Sequence, residues 1–133
     1  MATYPLSEAY VDGDVLSAAD YNATNEGVND LAIAQFNAQT GTSYTLVLSD
    51  AAKLITLTNA AAITLTVPTN ASVAFPIGTQ ILLYQGGAGQ VTISSSATLR
   101  SEGSKFDTAD QYAIAGLVKV ATDEWVAFGN LKA

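Results

Sequence analysis

The feature that most constrains the fold of this 133-residue chain is a run of short strand patterns over residues 44–128. In the clearest of them, Ile63, Leu65 and Val67 alternate with two threonines. Strict alternation is typical of a half-buried strand, because successive side chains point to opposite faces of a sheet. Seven or so such segments, separated by short turns, predict an all-β domain built as a small antiparallel β-sandwich or barrel.

The strand patterns also predict which side chains form the core. The predicted strands cover residues 44–49, 53–58, 62–67, 78–85, 90–94, 112–120 and 124–128, with a linker at 37–42 and a polar loop at 95–110. One strand is apolar on both faces, at Ile81, Leu82 and Leu83, which favours a central position in its sheet. The predicted core consists of Leu46, Leu48, Ile55, Leu57, Ile63, Leu65, Val67, Ile81, Leu83, Val91, Ile93, Ile114, Val118, Val126 and Phe128.

The first third of the chain has a different pattern and is predicted to be a separate part, with residues 1–41 preceding a β-domain at 42–133. We expect an extended arm followed by one α-helix from Ser17 to about Phe36. Ser17 can cap this helix, and Asp20 follows as a short form of the capping-box acid. The predicted organisation is therefore an arm, one helix and one β-domain.

The predicted helix has only a thin apolar stripe. Leu16 and Tyr21 occupy the positions of a hydrophobic staple. Val28 and Leu31 continue the stripe at helical spacing. Such a helix is marginal alone in water and must pack on its own β-domain, on symmetry-related helices or on a partner protein. We assign these four side chains to anchoring and oligomerisation, and we expect a homotrimer in which three helices cover one another's stripes.

The charge of the chain argues against nucleic acid as a partner. The sequence holds 12 acidic and 5 basic residues, which gives a net charge of −7. The basic residues are scattered at Lys53, Arg100, Lys105, Lys119 and Lys132. Nucleic-acid binding requires clustered cations that neutralise phosphates. Because only 13% of the residues are charged and 49% are apolar, the surface is better suited to being covered by neighbouring subunits.

The sequence predicts neither membrane insertion nor export. No apolar run reaches the roughly 18 residues of a membrane span. Residues 1–5 lack the cationic start and the apolar segment of a signal peptide. We therefore expect synthesis in the cytoplasm. The absence of cysteine excludes disulfide bonds and zinc sites made of thiolates.

Residues that enzymes use for catalysis are sparse. There is no histidine, which excludes a Ser-His-Asp triad. Asp107 and Asp110 form no convincing glycosidase pair, because their polar loop does not predict the raised pKa that one of the two carboxyls needs. The Gly-Gly-Ala-Gly segment at 86–89 lacks the lysine of a phosphate loop and predicts a tight turn in which glycine supplies a positive φ. Asp12-Gly13-Asp14 lacks the further ligands of a calcium loop. We expect no enzymatic activity, no cofactor and no metal site.

Three side chains are candidate contacts with a receptor. Tyr84 lies at a strand end beside a glycine-rich loop and can present its ring and hydroxyl together. Arg100 and Lys105 lie in the predicted polar loop. Trp125 belongs to a strand that is apolar on both faces, so we predict a place in the core or in a subunit interface. Exposure of Trp125 for stacking on a sugar is the alternative.

Several segments resemble those of a β-domain common in structural proteins of tailed bacteriophages. The similar segments are residues 44–55, 67–81 and 124–131, and their span covers about two-thirds of the chain. In addition, the segment Gly-Asp-Val-Leu-Ser-Ala-Ala-Asp-Tyr-Asn at 13–22 is similar to a helix-start motif near the front of phage tail-fibre proteins.

This resemblance implies a virion surface protein that is trimeric and has no enzymatic activity. The length of the chain favours a short head or tail fibre, with the N-terminal part as anchor and the β-domain facing outward. Its partners would be other virion proteins of the capsid, neck or tail, together with a host surface glycan. Two alternatives stay open. One is a capsid decoration protein that clamps neighbouring capsomers, and the other is a carbohydrate-binding module that uses Tyr84, Trp125 and the polar loop.

Overall fold

The structure, a computed structural model, describes residues 35–133. The predicted arm and nearly all of the predicted helix lie outside the described residues, and so do Leu16, Tyr21, Val28 and Leu31. The anchoring role of these four side chains therefore stays a prediction.

Within residues 35–133 the chain forms eleven β-strands and two short 3-10 helices. The strands are β1 (Gln35–Gln39), β2 (Ser43–Thr45), β3 (Lys53–Leu57), β4 (Ile63–Val67), β5 (Gln80–Gln85), β6 (Val91–Ser95), β7 (Thr98–Ser101), β8 (Asp107–Thr108), β9 (Ile114–Ala121), β10 (Glu124–Gly129) and β11 (Leu131–Lys132). The 3-10 helices are Leu48–Asp50 and Glu102–Ser104.

The first strand replaces the predicted end of the helix and the predicted linker. β1 pairs with β3 in parallel register, with Gln35 opposite Lys53. The strand has little apolar alternation of its own, so it is this pairing that stabilises it as a strand. The β-domain therefore includes Gln35–Gln39, so the prediction of a helix reaching Phe36 is wrong, and the linker or turn predicted at 37–42 is confined to residues 40–42.

The strands of residues 35–133 form two sheets, and the all-β class is confirmed. The six-stranded sheet has the order β1-β3-β5-β9-β10-β7, and the five-stranded sheet has the order β11-β8-β6-β4-β2. From β1 to β6 each connection crosses from one sheet to the other, so neighbouring strands of one sheet run parallel. β9 and β10 form the predicted antiparallel hairpin. The prediction of antiparallel sheets throughout is wrong, because alternation along a strand does not encode the direction of its partner.

The core lies between the two sheets. Ten of the predicted core residues are buried there: Leu46, Ile55, Leu57, Ile63, Leu65, Val67, Ile81, Leu83, Val91 and Ile93. Phe75 and Leu117, which are absent from the predicted set, also belong to the core, and so does Trp125, for which the core is one of the two predicted places. The rings of Phe75 and Trp125 meet edge to face, with centroids 5.4 Å apart at 89°.

Four residues of the closing hairpin that were predicted in the core point outward instead. Ile114, Val118, Val126 and Phe128 lie at even positions, whereas the buried side chains of β9 and β10 lie at odd positions. Apolar residues occur at both parities here, and such a strand carries no signal that selects one face. Trp125 decides between them, because its large side chain fills the space between the sheets. Ile114 and Phe128 are consequently exposed, and Val118 and Val126 are half-buried.

The strand predicted at 44–49 and the loop predicted at 95–110 also need correction. The strand expected at 44–49 ends early, and Leu48 lies in a 3-10 helix with 56% of its surface exposed. The carboxylate of Asp50 stabilises this turn, since the backbone N of Val47 donates to Asp50 Oδ2 at 2.9 Å. The polar loop expected at 95–110 contains β7 and β8, which pair with β10 and β6.

The glycines of segment 86–89 allow the turn between β5 and β6 to pack closely on the turn between β3 and β4. The backbone N of Gly89 donates to the carbonyl O of Asn59 at 2.8 Å. A Cβ on Gly87 would lie 2.5 Å from the same carbonyl O, and a Cβ on Gly89 would overlap the carbonyl O of Ala61. None of the three glycines in the segment has a positive φ. The predicted reason for these glycines is therefore wrong, and close backbone approach is the correct one.

Candidate functional site

The outward side chains of the six-stranded sheet form a continuous apolar row. The strand register places Phe36 opposite Leu54 and Leu54 opposite Leu82. On the following strands, Leu82 lies opposite Gly116, and Gly116 lies opposite Phe128. The row therefore crosses β1, β3, β5, β9 and β10 without a charged residue.

Neighbouring rows extend this surface on both sides. Tyr84 lies opposite Ile114, and Val118 lies opposite Val126. We call the whole surface the apolar outer face; it consists of Phe36, Leu54, Leu82, Tyr84, Ile114, Val118, Val120, Val126 and Phe128.

Several side chains of the apolar outer face are strongly exposed. Phe36 exposes 68% of its surface, Ile114 49% and Phe128 46%. Single exposed apolar residues are normal, but monomeric proteins rarely expose contiguous apolar patches beyond roughly 300–600 Å². The contiguity of this patch marks it as a candidate contact surface.

The ring of Phe128 occupies the position that a side chain on Gly116 would take. A Cβ built on Gly116 would collide with the outer atoms of that ring. Gly116 itself is buried although it lies in an outward position. An aromatic ring over a cross-strand glycine covers backbone that would otherwise face water.

The outward face of the five-stranded sheet has the opposite chemistry. Ser43, Thr64 and Thr92 lie opposite one another across β2, β4 and β6. The next outward row consists of Thr45, Thr66 and Ser94. Hydroxyl side chains on the solvent face are the usual pattern for a sheet with one wet face. The same chain thus builds one polar and one apolar outer face.

Charged groups flank the apolar outer face at two places: Lys53 lines a cleft with Leu82, and Arg100 and Glu124 lie at the β7–β10 edge. There Arg100 Nε and Glu124 Oε2 form an ion pair at 2.6 Å, the only one among residues 35–133. The exposed position of this pair limits its contribution to stability to less than about 1 kcal/mol. Its place at the edge leaves the centre of the face free of charge.

The three candidate receptor contacts do not converge on one pocket. Tyr84 lies on β5 and Arg100 on β7, three strands apart in the sheet order. At about 4.8 Å per strand, this separation is roughly 14 Å. Lys105 lines a separate cleft of about 200 Å³ together with Glu102 and Phe128. A role of these residues in receptor binding stays a prediction.

Trp125 is 1% exposed and packs against Phe75. The core interpretation of this residue is confirmed. Its ring has no free face on which a sugar could stack, so the carbohydrate-binding alternative loses its central side chain.

The polar groups in the interior are used for structure. Asp50 is fully buried and accepts hydrogen bonds from Tyr44 Oη at 2.6 Å and Asn37 Nδ2 at 2.7 Å. Burial and the hydrogen bond with Asp50 raise the pKa of the Tyr44 phenol to about 12. The cluster connects β1, β2 and the following 3-10 helix, and its carboxylate has no free oxygen for chemistry.

Lys119 is a buried cation on the inward face of β9, with only 2% of its surface exposed. Its Nζ donates to Asn70 Oδ1 at 2.6 Å and to the carbonyl O of Phe75 at 2.7 Å. Within the described part of the chain no carboxylate forms an ion pair with it. The two hydrogen bonds attach the loop between β4 and β5 to the sheet.

The two aspartates considered as a glycosidase pair have separate structural partners. Asp107 Oδ1 accepts from Thr92 Oγ1 at 2.7 Å, and Asp110 Oδ1 accepts from the backbone N of Gln111 at 2.8 Å. Residues 35–133 contain no group of three or more acidic side chains placed to hold a metal ion. A cleft of about 380 Å³ is lined by Lys53, Thr79 and Leu82 among others, with Lys53 as its one ionisable side chain.

Comparison of the sequence with models of protein families finds no match, and comparison with curated proteins finds none either. Among the helices formed by residues 35–133, none has the length and apolar character needed to cross a membrane.

Sequence reasoning missed the apolar outer face as a site. The available signal was the occurrence of apolar residues at both parities in β5, β9 and β10. The pattern suggested strands buried on both sides, whereas residues 35–133 supply a covering layer on one side only.

Proposed function

We propose that this chain is a non-enzymatic structural protein of a tailed-bacteriophage virion, where it forms a short trimeric head or tail fibre on the particle surface. Residues 1–41 would serve as the anchor on other virion proteins, and the β-domain would face outward. The observation that carries the proposal is an apolar sheet face that residues 35–133 leave largely exposed, on a domain whose core lies between its two sheets.

The interior chemistry supports a structural role. The buried side chains of Asp50, Gln85, Thr108 and Lys119 all take part in hydrogen bonds that connect strands or loops. Among the described residues, no buried side-chain nitrogen or oxygen lacks a partner. Catalytic groups commonly keep an unsatisfied or strongly perturbed side chain facing a cleft. The cleft at Lys53 has one ionisable side chain, and in the other cleft Glu102 is exposed and Lys105 half-buried, a surface setting that favours assembly over catalysis.

The apolar outer face also favours the second candidate, a capsid decoration protein. In that function the β-domain itself contacts capsomers, and an apolar sheet face would be suited to such a contact. A fibre would instead use the face between its own copies. The two functions differ in copy number, because a decoration protein covers the capsid and a fibre occupies few positions.

The test uses purified particles of the phage that encodes the chain. Quantitative mass spectrometry against the major capsid protein measures the copy number, and immunogold electron microscopy with antibody to the full chain locates it. Few copies at the neck, tail or isolated head positions support the fibre. Many copies distributed over the head support decoration. Absence of the chain from intact particles would contradict both functions.

A further inference from the structure

We propose that copies of this chain bind one another through the apolar outer face, so that neighbouring copies cover the side chains that a single copy leaves exposed. The inference rests on the proposed structural function and adds the contact surface to it. It places the contact in the β-domain, in addition to any contact made by the predicted helix.

The difference between the two outer faces is the first argument. The smaller sheet places Thr64 and Ser94 outward, so this chain does build a water-facing sheet surface where it needs one. At equivalent outward positions the larger sheet places Leu82 and Ile114. Two sheets of one domain fold under the same conditions. The apolar side chains at the outward positions of the larger sheet therefore indicate a surface that is covered in the assembled protein.

The geometry of the face is suited to another sheet. Its side chains lie in aligned cross-strand rows, and two sheets pack face to face by interdigitating such rows at about 10 Å separation. Phe36 is the most exposed side chain and Leu82 the most central one in the long row. A second copy offers the same rows of side chains, with the same spacing between strands.

Charge favours a second copy over an oppositely charged partner. Residues 35–133 contain five basic and six acidic side chains, so the β-domain is almost neutral. Most of the net charge of −7 comes from residues 1–34, so the β-domains of two copies repel one another only weakly. The Arg100–Glu124 pair at the edge carries both signs and places no uncompensated charge at the contact. The centre of the face offers no charged group with which a basic or acidic partner could pair.

The exposed area has the size that the centre of an interface needs. With aromatic side chains of about 150–250 Å² each, the exposed parts of Phe36 and Phe128 together supply roughly 200 Å². The aliphatic side chains between them extend this to a patch of several hundred square ångströms. A stable interface buries about 800 Å² per partner around an apolar centre with a polar rim.

The experiment compares two matched double variants of the full chain. Leu82→Asp with Ile114→Asp places two charges on the apolar outer face. The control, Thr64→Asp with Ser94→Asp, places two charges on the outer face of the smaller sheet. Sedimentation velocity over a range of concentrations measures the mass, and fluorescence of the single tryptophan checks the fold.

We expect the wild type and the control to associate alike. In the first variant, we expect the dissociation constant to rise at least about 100-fold, because like charges facing each other in a desolvated contact are strongly unfavourable. Unchanged association of a folded first variant would overturn the inference. So would a wild type that stays monomeric at high concentration.

A second measurement covers the case in which the charged variant fails to fold. The chain has no cysteine, so Leu82→Cys and Thr64→Cys each introduce one thiol for reaction with a maleimide. We expect labelling at position 82 to slow as protein concentration rises, while labelling at position 64 stays constant. Labelling at position 82 that does not depend on concentration would count against the contact.

The number of chains in the solution oligomer distinguishes a failure of this inference from a failure of the proposed function. A dimer that depends on the apolar outer face supports the inference and contradicts the trimeric fibre. A trimer that survives the charged variant contradicts the inference and leaves the trimeric fibre unaffected.

Discussion

The two faces of the six-stranded sheet contain similar amounts of apolar side chain but have different surroundings. The inner face places Ile55, Leu83 and Trp125 against the smaller sheet, where each is almost completely buried. The outer face leaves 39% of the surface of Leu82 and 46% of that of Phe128 exposed. The sheet thus has the composition of a middle layer, although the described residues supply a second layer on one side only.

This difference shows how a strand with apolar residues on both of its faces should be interpreted. Such a strand is expected to make two apolar contacts, one with the opposite sheet and one on its outer face. In a domain of two layers, the outer positions of each sheet are expected to be polar, as they are in the smaller sheet. Where they are apolar, as in the larger sheet, the second covering layer does not come from residues 35–133, and we propose that another copy of the chain supplies it. On this proposal the inner face determines folding, and the outer face determines association.

The largest expected difference between the two faces comes from truncating adjacent leucines of β5. Leu83→Ala removes a completely buried side chain and should lower the free energy of unfolding by about 2–5 kcal/mol. Leu82→Ala, one residue away on the outer face, should lower it by less than about 1 kcal/mol at concentrations where copies are dissociated. Urea denaturation followed by Trp125 fluorescence measures both values. Equal losses would show that the outer face is covered within a single copy.

Replacement of a cation on each face gives the next largest difference. Lys119→Met removes the buried ammonium that donates to Asn70 and Phe75, and should lower the free energy of unfolding by about 1–3 kcal/mol. It should also increase proteolysis in the loop before β5. The control, Arg100→Met, removes the exposed ion pair with Glu124 and should cost less than about 1 kcal/mol. A stabilised Lys119→Met variant with an intact loop would contradict the attachment assigned to the lysine.

A glycine on the outer face tests how easily that face rearranges. Gly116→Ala would displace the ring of Phe128, whose colliding atoms are the far end of a half-exposed side chain. We expect a loss of stability below about 1 kcal/mol in the single copy, together with weaker association. Gly89→Ala would collide with the backbone of Ala61 and should cost more, about 1–3 kcal/mol. Urea denaturation measures both losses of stability. Equal losses would show that the ring of Phe128 yields no more easily than the backbone of Ala61.

The smallest expected effect concerns the buried hydrogen bond between Tyr44 and Asp50. The pKa of the Tyr44 phenol is about 12 in the folded chain and 10.0 ordinarily, so unfolding releases a proton between these values. The contribution of Tyr44 is complete below pH 10 and is lost as the pH rises towards 12. The stability of Tyr44→Phe should therefore fall less steeply over this range than that of the wild type. Identical slopes of stability against pH between pH 10 and 12, measured by urea denaturation, would contradict the raised pKa of the Tyr44 phenol.

The sequence predicts the individual strands well where alternation is strict. β3, β4, β5, β6 and the β9–β10 hairpin lie within a few residues of their predicted bounds. β1 and β7 were not predicted, because their stability comes from parallel pairing with strands distant in sequence. The turn at Leu48 likewise depends on a hydrogen bond to the carboxylate of Asp50 that no local pattern indicates.

The candidate site is the part that the sequence predicts least. Ile114 and Phe128 were expected in the core, since an apolar residue in an apolar strand is usually buried. Their outward direction follows from the register of β9 against β5 and β10. The rows that make the outer face continuous exist only after five strands have been placed side by side.

The sequence by itself determined the all-β class, the alternation of most strands and the absence of the residues that cysteine and histidine chemistry requires. These properties depend on residue type and on neighbours in the chain, so they can be read locally. The tertiary structure decided the direction of the strands, the face on which each apolar side chain lies and the contact of Lys119 with Asn70 and Phe75. These properties depend on pairing between distant segments. A strand that is apolar on both faces can bury either face with a similar gain in free energy, and here the large side chain of Trp125 decides which face lies in the interior.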